Sequence, residues 1–205
     1  MKKILCLFIA LMFMFSSALA HQPVIVESEV IQIEKPEISR AFYDELEGRP
    51  CSYFIDSEKE FDLYLNLLVP KNTNPEGRYS AHVYRIKDGK RELLAEIDGE
   101  AAVWKEFYEP FGGDTYLKGP EYKRLVPAGR YEIEVYSRDN LGKYVLAVGE
   151  KEAFGFKEIV KVYADVPRLK SEFFGSSPLT FLWTPFGIVL VLVVGGIIYL
   201  LIRAK

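Results

Sequence analysis

Sulfur and imidazole are scarce in this chain. Its 205 residues hold two cysteines and two histidines, and one cysteine, Cys6, lies inside an N-terminal apolar run. With Cys51 as the other, no internal disulfide can staple the remainder, so its core rests on packing. Cys51 reads as a small apolar core residue, with a reactive thiol or an intermolecular bridge as alternatives. No HExxH, GxSxG, phosphate-binding glycine loop or paired-cysteine motif occurs. A Ser-His or Cys-His system would have to rest on His82, and a carboxylate pair is not excluded by spacing. We therefore expect a chain that is not an enzyme and needs no cofactor. No Asn-x-Ser/Thr acceptor is present. Clustered positive charge is also missing: residues 21–182 hold 22 Lys and Arg against 29 Asp and Glu, a balance of −7. Such a surface is a poor match for phosphate backbones, which excludes nucleic acid as a partner.

Long hydrophobic runs occur only at the two ends. Lys2-Lys3, the apolar run Ile4 to Phe15 and the exit Ala18-Leu19-Ala20 have the parts of a secretory signal peptide at residues 1–20. The run is too short for a comfortable bilayer crossing, which takes about 20 residues. Retention as an N-terminal anchor is the alternative, and nothing before Cys6 resembles a lipidation site. At the other end, residues 179–202 carry no charge and read as one transmembrane helix, followed by a basic cytoplasmic tail at 203–205. Trp183 sits where aromatic rings favour the interface, and Arg203 and Lys205 place the rest outside the cytosol. Gly175-Ser176-Ser177 lacks the polar spacer of a lipid-anchor signal. No LPxTG-like motif precedes the span, although processing by a sorting enzyme stays open. The expected address is a single-pass membrane protein with an extracytoplasmic N-terminal domain.

Between the ends, side chains alternate with period two. Phe61, Leu63, Leu65, Leu67 and Val69 share one strand face, and Pro70 ends it. His82 to Ile86 and Glu92 to Ile97 flank a hairpin turn at Asp88-Gly89. Further strands are expected at Tyr131–Val135 and Tyr144–Val148, with weaker ones at Val24–Ile33, Ile38–Leu46 and Ser52–Asp56. About eight short strands separated by turns give an all-β fold, a β-sandwich over residues 21–152. Residues 153–178 have helical spacing, with Ile159, Val160 and Tyr163 on one side and Pro167 dividing them. They read as two short helices forming a stalk. Gly99 to Pro120 breaks the strand rhythm and reads as a long aromatic loop.

The stretch Gly129-Arg130-Tyr131-Glu132-Ile133-Glu134-Val135, followed by Gly142-Lys143-Tyr144-Val145-Leu146-Ala147-Val148, resembles the last hairpin of bacterial pre-peptidase C-terminal domains. Those are jelly-roll-like sandwiches appended to secreted enzymes. The likeness covers roughly residues 38–150; this chain has no attached peptidase and has its own anchor. The whole chain also resembles uncharacterised membrane-anchored microbial ectodomain proteins. The resemblance implies a jelly-roll-like ectodomain and an address, and no activity.

Three groups of residues carry candidate chemistry. The first is the aromatic loop. Trp104, Tyr108, Phe111 and Tyr116 offer ring faces, and Glu109 and Asp114 offer acceptors, a set suited to a glycan or peptide. The same residues can instead plug one end of the sandwich, with Asp114 capping backbone N–H groups. The second is His21, which cleavage after Ala20 would make the N-terminus. Its amine and imidazole can chelate copper, and His82 is the second histidine available. The third is the carboxylate set Asp98, Glu100, Glu106, Glu109, Asp114 and Glu121, whose spacing fits no calcium loop; it reads as a solvated rim, with a calcium site assembled in space as the alternative. The expected function is a non-catalytic module for a protein or glycan partner; the alternative is an exported metal-binding protein using His21.

Overall fold

A computed structural model describes residues 21–28, 30–153 and 155–203. The expected signal peptide and the end of the expected tail lie outside them. Strands β1 (Gln22–Ile25), β3 (Arg40–Glu47), β5 (Phe61–Pro70), β8 (Lys105–Glu109), β9 (Asp114–Val126) and β11 (Leu141–Val148) form one sheet, in the order β1-β3-β11-β5-β9-β8. The second sheet, β2-β4-β10-β6-β7, is built from β2 (Ile31–Ile33), β4 (Cys51–Ser57), β6 (Tyr79–Lys87), β7 (Lys90–Ile97) and β10 (Gly129–Ser137). Two packed sheets with short C-terminal helices make the fold a β-sandwich. Alternation is the cause: Leu63, Leu65, Leu67 and Val69 from one sheet meet Ala81, Val83, Ile133 and Val135 from the other, all buried.

The β6–β7 hairpin forms as its turn residues require. Asp88 and Gly89 both have positive φ, 50° and 72°, as a two-residue hairpin turn demands. Two other expectations need correction. Gly129–Val135 and Gly142–Val148 do not form a hairpin, because β10 pairs with β4 and β6 while β11 pairs with β3 and β5. Asp139-Asn140 carries the chain from one sheet to the other. The segment read as a loop over Gly99 to Pro120 is largely the β8–β9 hairpin, its tip at Pro110 to Gly113. Gly119, Pro120 and a register shift opposite Asn66 and Leu68 obscure its period, and the Asn66 amide satisfies the carbonyls of Gly119 and Pro120 at 3.2 and 3.0 Å.

The expected stalk is no stalk. Helix α1 (Phe156–Arg168) continues into a π-helical turn (Leu169–Phe173), then a 3-10 turn (Pro178–Trp183) leads to α2 (Pro185–Arg203). Pro167 lies inside α1 instead of dividing it; the chain widens just after it, with Phe174 N–H bonding to the Leu169 carbonyl at 3.0 Å. Val162, Val166, Leu169, Phe173 and Phe174 are buried, whereas Val160, expected on the apolar side, is exposed. Together they cover the outer face of the six-stranded sheet, against Ala41, Leu68, Tyr116, Val145 and Ala147. Residues 179–184 are likewise not part of the long helix. Thr184 ends the 3-10 turn and caps α2, its Oγ1 accepting from Gly187 N–H at 3.0 Å, with Pro185 at the first helical position. With 19 residues and a mean hydropathy of 2.7, α2 is long and apolar enough to cross a membrane.

Candidate functional site

The cover over the six-stranded sheet does not close it completely. A cavity of about 320 Å³ remains between the sheet and the α1 segment. Glu109, Phe111, Asp114 and Tyr116 all line it, and so does His21. Two groups kept apart by the sequence are therefore brought to one place.

The hairpin tip is built around carboxylates. Glu109 accepts N–H bonds from Phe111 and Gly112, both at 2.7 Å, which folds the tip back on itself. Gly113 closes the turn at φ 73°, a region favouring glycine. Asp114 accepts from Lys170 Nζ at 2.7 Å. This pair is buried, Lys170 at 2% and Asp114 at 8% exposure. Burial pushes both carboxyls, Glu109 and Asp114, above the ordinary carboxylate range; hydrogen bonds from backbone N–H groups and from Lys170 only partly offset it. Removing one partner of such a pair typically costs about 3–5 kcal/mol. Tyr116 shares a 2.8 Å hydroxyl contact with Tyr43, and burial holds both phenols above their usual range.

Phe111 contacts the C-terminal segment directly. Its ring lies 5.8 Å from Tyr163, 5.7 Å from Phe181 and 4.7 Å from Phe186. The last of these belongs to the first turn of α2. What the aromatic hairpin holds in this structure is thus the chain's own approach to the apolar helix α2. Asp114 pairs with Lys170 instead of capping backbone N–H groups. Of the other two candidates, Tyr108 is exposed on edge strand β8. Trp104 lies outside the cavity: its Nε1 donates to the Gly99 carbonyl at 2.8 Å and its ring covers Gly119.

His21 Nδ1 is 2.6 Å from Ser39 Oγ, and burial, reinforced by Lys118, holds its imidazole below the ordinary range. His82 is elsewhere. It projects from the outer face of the five-stranded sheet, 3.2 Å from Tyr84 Oη and 3.3 Å from Tyr136 Oη, with carboxylates of Glu134 and Glu96 at 3.7 and 3.8 Å. The two histidines face outward from opposite sheets and form no common site. Among the described residues, no group of three or more His, Cys, Asp or Glu side chains is arranged to hold a metal ion. The Cys51 thiol is pushed up to about 12 by burial and by Asp44, the opposite of an activated thiolate.

Among the described residues, the outer face of the five-stranded sheet carries partly exposed charged and imidazole side chains. Arg91 bonds Glu132 at 3.1 Å and Glu134 at 2.9 Å, and its guanidinium lies 3.8 Å from the Tyr84 ring centre. Ser52 Oγ donates to Glu132 at 2.9 Å. Sequence reading passed over this array because its members are spread over β4, β6, β7 and β10. It also missed Lys170, the partner of Asp114; a lysine beside Leu169 and ahead of Phe173-Phe174 was the available signal.

No family model matches the chain, and no curated protein matches it. Among solved structures it is similar to the pre-peptidase C-terminal domain of a collagenase from Bacillus anthracis, at 13% identity over 60% of this chain and 96% of that one, TM-score 0.37. It is also similar to CorA, a surface-associated copper-binding protein of Methylomicrobium album BG8, at 9% identity over 62% of this chain and 98% of that one, TM-score 0.31. A third similar structure is a β-glucosidase from Paenibacillus barengoltzii, at 8% identity over 62% of this chain and 13% of that one, TM-score 0.28.

Proposed function

We propose that this chain is a non-catalytic, membrane-anchored extracytoplasmic module that binds a protein or glycan partner through the outer face of its five-stranded sheet. One observation carries the reading: the two outer faces are treated differently. The chain's own C-terminal segment occupies one, while the other is open and bears a cross-linked array of Tyr84, Arg91, His82, Glu134 and Tyr136. Charged and phenolic groups already held in place by one another lose little side-chain entropy when a partner binds, which favours recognition by hydrogen bonds. A hairpin first read as a ligand grip is engaged with Tyr163, Phe181 and Phe186, so partner binding is assigned elsewhere.

The test uses the full-length chain in nanodiscs, with partner capture and a glycan array as readouts. Tyr84→Ala with Arg91→Ala abolishes capture, while the melting temperature falls by less than it does in Lys170→Ala, because Arg91 and Glu134 are partly solvated and Glu132 keeps the Ser52 hydroxyl. Capture that survives this double change, and is lost in Tyr108→Ala, would move the site to the β8 edge.

A further inference from the structure

We infer that the sandwich meets the bilayer surface along a fixed ledge, made by Tyr108 on edge strand β8 together with Leu179, Leu182 and Trp183 of the 3-10 turn. This rests on the reading of α2 as a membrane span. Three observations place the ledge at the point of membrane entry. The Phe111 ring at the β8–β9 tip packs 4.7 Å from Phe186, in the first turn of α2. Gly113, at the same tip, is enclosed by both Thr184 and Tyr108: a Cβ built there would meet Thr184 Cγ2 at 2.6 Å and Tyr108 Oη at 3.4 Å. Thr184 is buried and caps α2, so Tyr108 stands level with the start of that helix.

At this level the structure exposes what a soluble surface usually hides. Trp183 is 83% exposed, Leu179 66% and Tyr108 55%, while Phe181 between them is buried against the tip. Tryptophan and tyrosine with apolar neighbours match the headgroup–acyl boundary, where rings are half-solvated and their polar atoms stay wet. The occupant of this surface is the lipid interface, because no charged residue separates the side chains of the 3-10 turn from the apolar helix α2. Lipid contact through a folded domain, and not the helix alone, fixes which way the open sheet points.

Site-directed nitroxide labelling reads the ledge directly. Single cysteines replace Tyr108, Trp183, Leu192 in α2, or Leu93 on exposed β7, in a chain whose Cys6 and Cys51 are alanine. The full-length protein is placed in phospholipid nanodiscs, and relaxation by oxygen is compared with relaxation by a water-soluble nickel chelate. The ledge predicts oxygen-favoured labels at 192, intermediate values at 183 and 108, and a water-exposed label at 93. A label at 108 as aqueous as at 93, with 192 in lipid, overturns the ledge while leaving the anchor standing. An aqueous label at 192 overturns the anchor, and the ledge with it. Each labelled protein must melt as the unlabelled one does; should Tyr108→Cys fail, Pro110→Cys, exposed at the hairpin tip, takes its place under the same two outcomes.

Discussion

The two sheets of the sandwich share a core and differ on their backs. Behind the six-stranded sheet, Leu68, Val145 and Ala147 point away from the core yet are buried, because α1 and the π-helical turn lie over them. Behind the five-stranded sheet, the equivalent positions are Glu132, Glu134, His82 and Tyr84, held by ion pairs and hydroxyls. Apolar residues on both faces of a strand require cover on both faces. Polar residues on one face permit solvent, or a partner. The comparison shows that the segment from α1 to the 3-10 turn packs on the sandwich as part of the folded domain.

The largest expected break in that comparison is Lys170→Ala. It leaves Asp114 buried without its cation and lowers stability by about 3–5 kcal/mol in thermal unfolding. Arg91→Ala costs less than Lys170→Ala: Arg91 itself and Glu134 are partly solvated, and Glu132, though buried, keeps the Ser52 hydroxyl. Replacing both Lys170 and Asp114 by apolar residues of similar volume restores most of the loss. Next is Phe111→Ala, which costs about 2 kcal/mol, below the ~3–5 kcal/mol of a fully buried phenylalanine because this ring is half-buried. Limited proteolysis then cuts within residues 174–184 while the strands stay protected.

A smaller effect sharpens the electrostatics. Burial raises the carboxyls of Glu109 and Asp114 in the folded chain. The folded state therefore holds protons that the unfolded state releases, and stability falls as pH rises from the ordinary carboxylate range through the raised values. Melting curves taken at steps from mildly acidic to neutral pH should show this decline in the wild type and a shallower one in Glu109→Gln. Equal slopes would mean that Glu109 is not desolvated. Smallest is the outcome for copper. Isothermal titration of a chain beginning at His21 gives no tight site if His21 serves only to bond Ser39. A micromolar-or-tighter site lost in His21→Ala would favour the metal-binding alternative.

Much of the sandwich was legible because alternation and burial are the same fact seen twice. Phe61 to Val69 declares its inner face, and Asp88-Gly89 declares its turn. Connectivity between sheets was not legible. Asp139-Asn140 is compatible with a hairpin or with a corner, and only the partners of β10 and β11 decide. Strand β9 escaped because Gly119 and Pro120 interrupt it and because Tyr122 faces the core while Tyr116 faces the cover. The cover itself left a trace. Tyr144-Val145-Leu146-Ala147-Val148 is apolar on both faces, whereas Tyr131 to Val135 alternates with Glu132 and Glu134. That contrast marks the first as sandwiched between two layers and the second as open on one side. Helical period alone did not separate Val160, which is exposed, from Tyr163, which packs on Phe111 and Phe181 beside buried Val162 and Val166. In the candidate site, Glu109, Phe111, Asp114 and Tyr116 do come together, but Lys170 is 56 positions from Asp114, and no local pattern links them.

Docking of the segment that precedes α2 onto the β8–β9 tip is the claim from which the rest follows. Gly113→Cys with Thr184→Cys, in a chain whose Cys6 and Cys51 are alanine, tests it most directly. A Cβ at 113 lies 3.9 Å from the Thr184 Cβ, within the span of a disulfide. Mild oxidation of the full-length protein in nanodiscs should convert both thiols to an intrachain bond, detected by intact mass and a cross-linked peptide. Thiols that stay free, while an Ala41→Cys/Ala147→Cys control at directly paired positions of β3 and β11 oxidises, would show a segment swinging free of the sandwich and contradict the account.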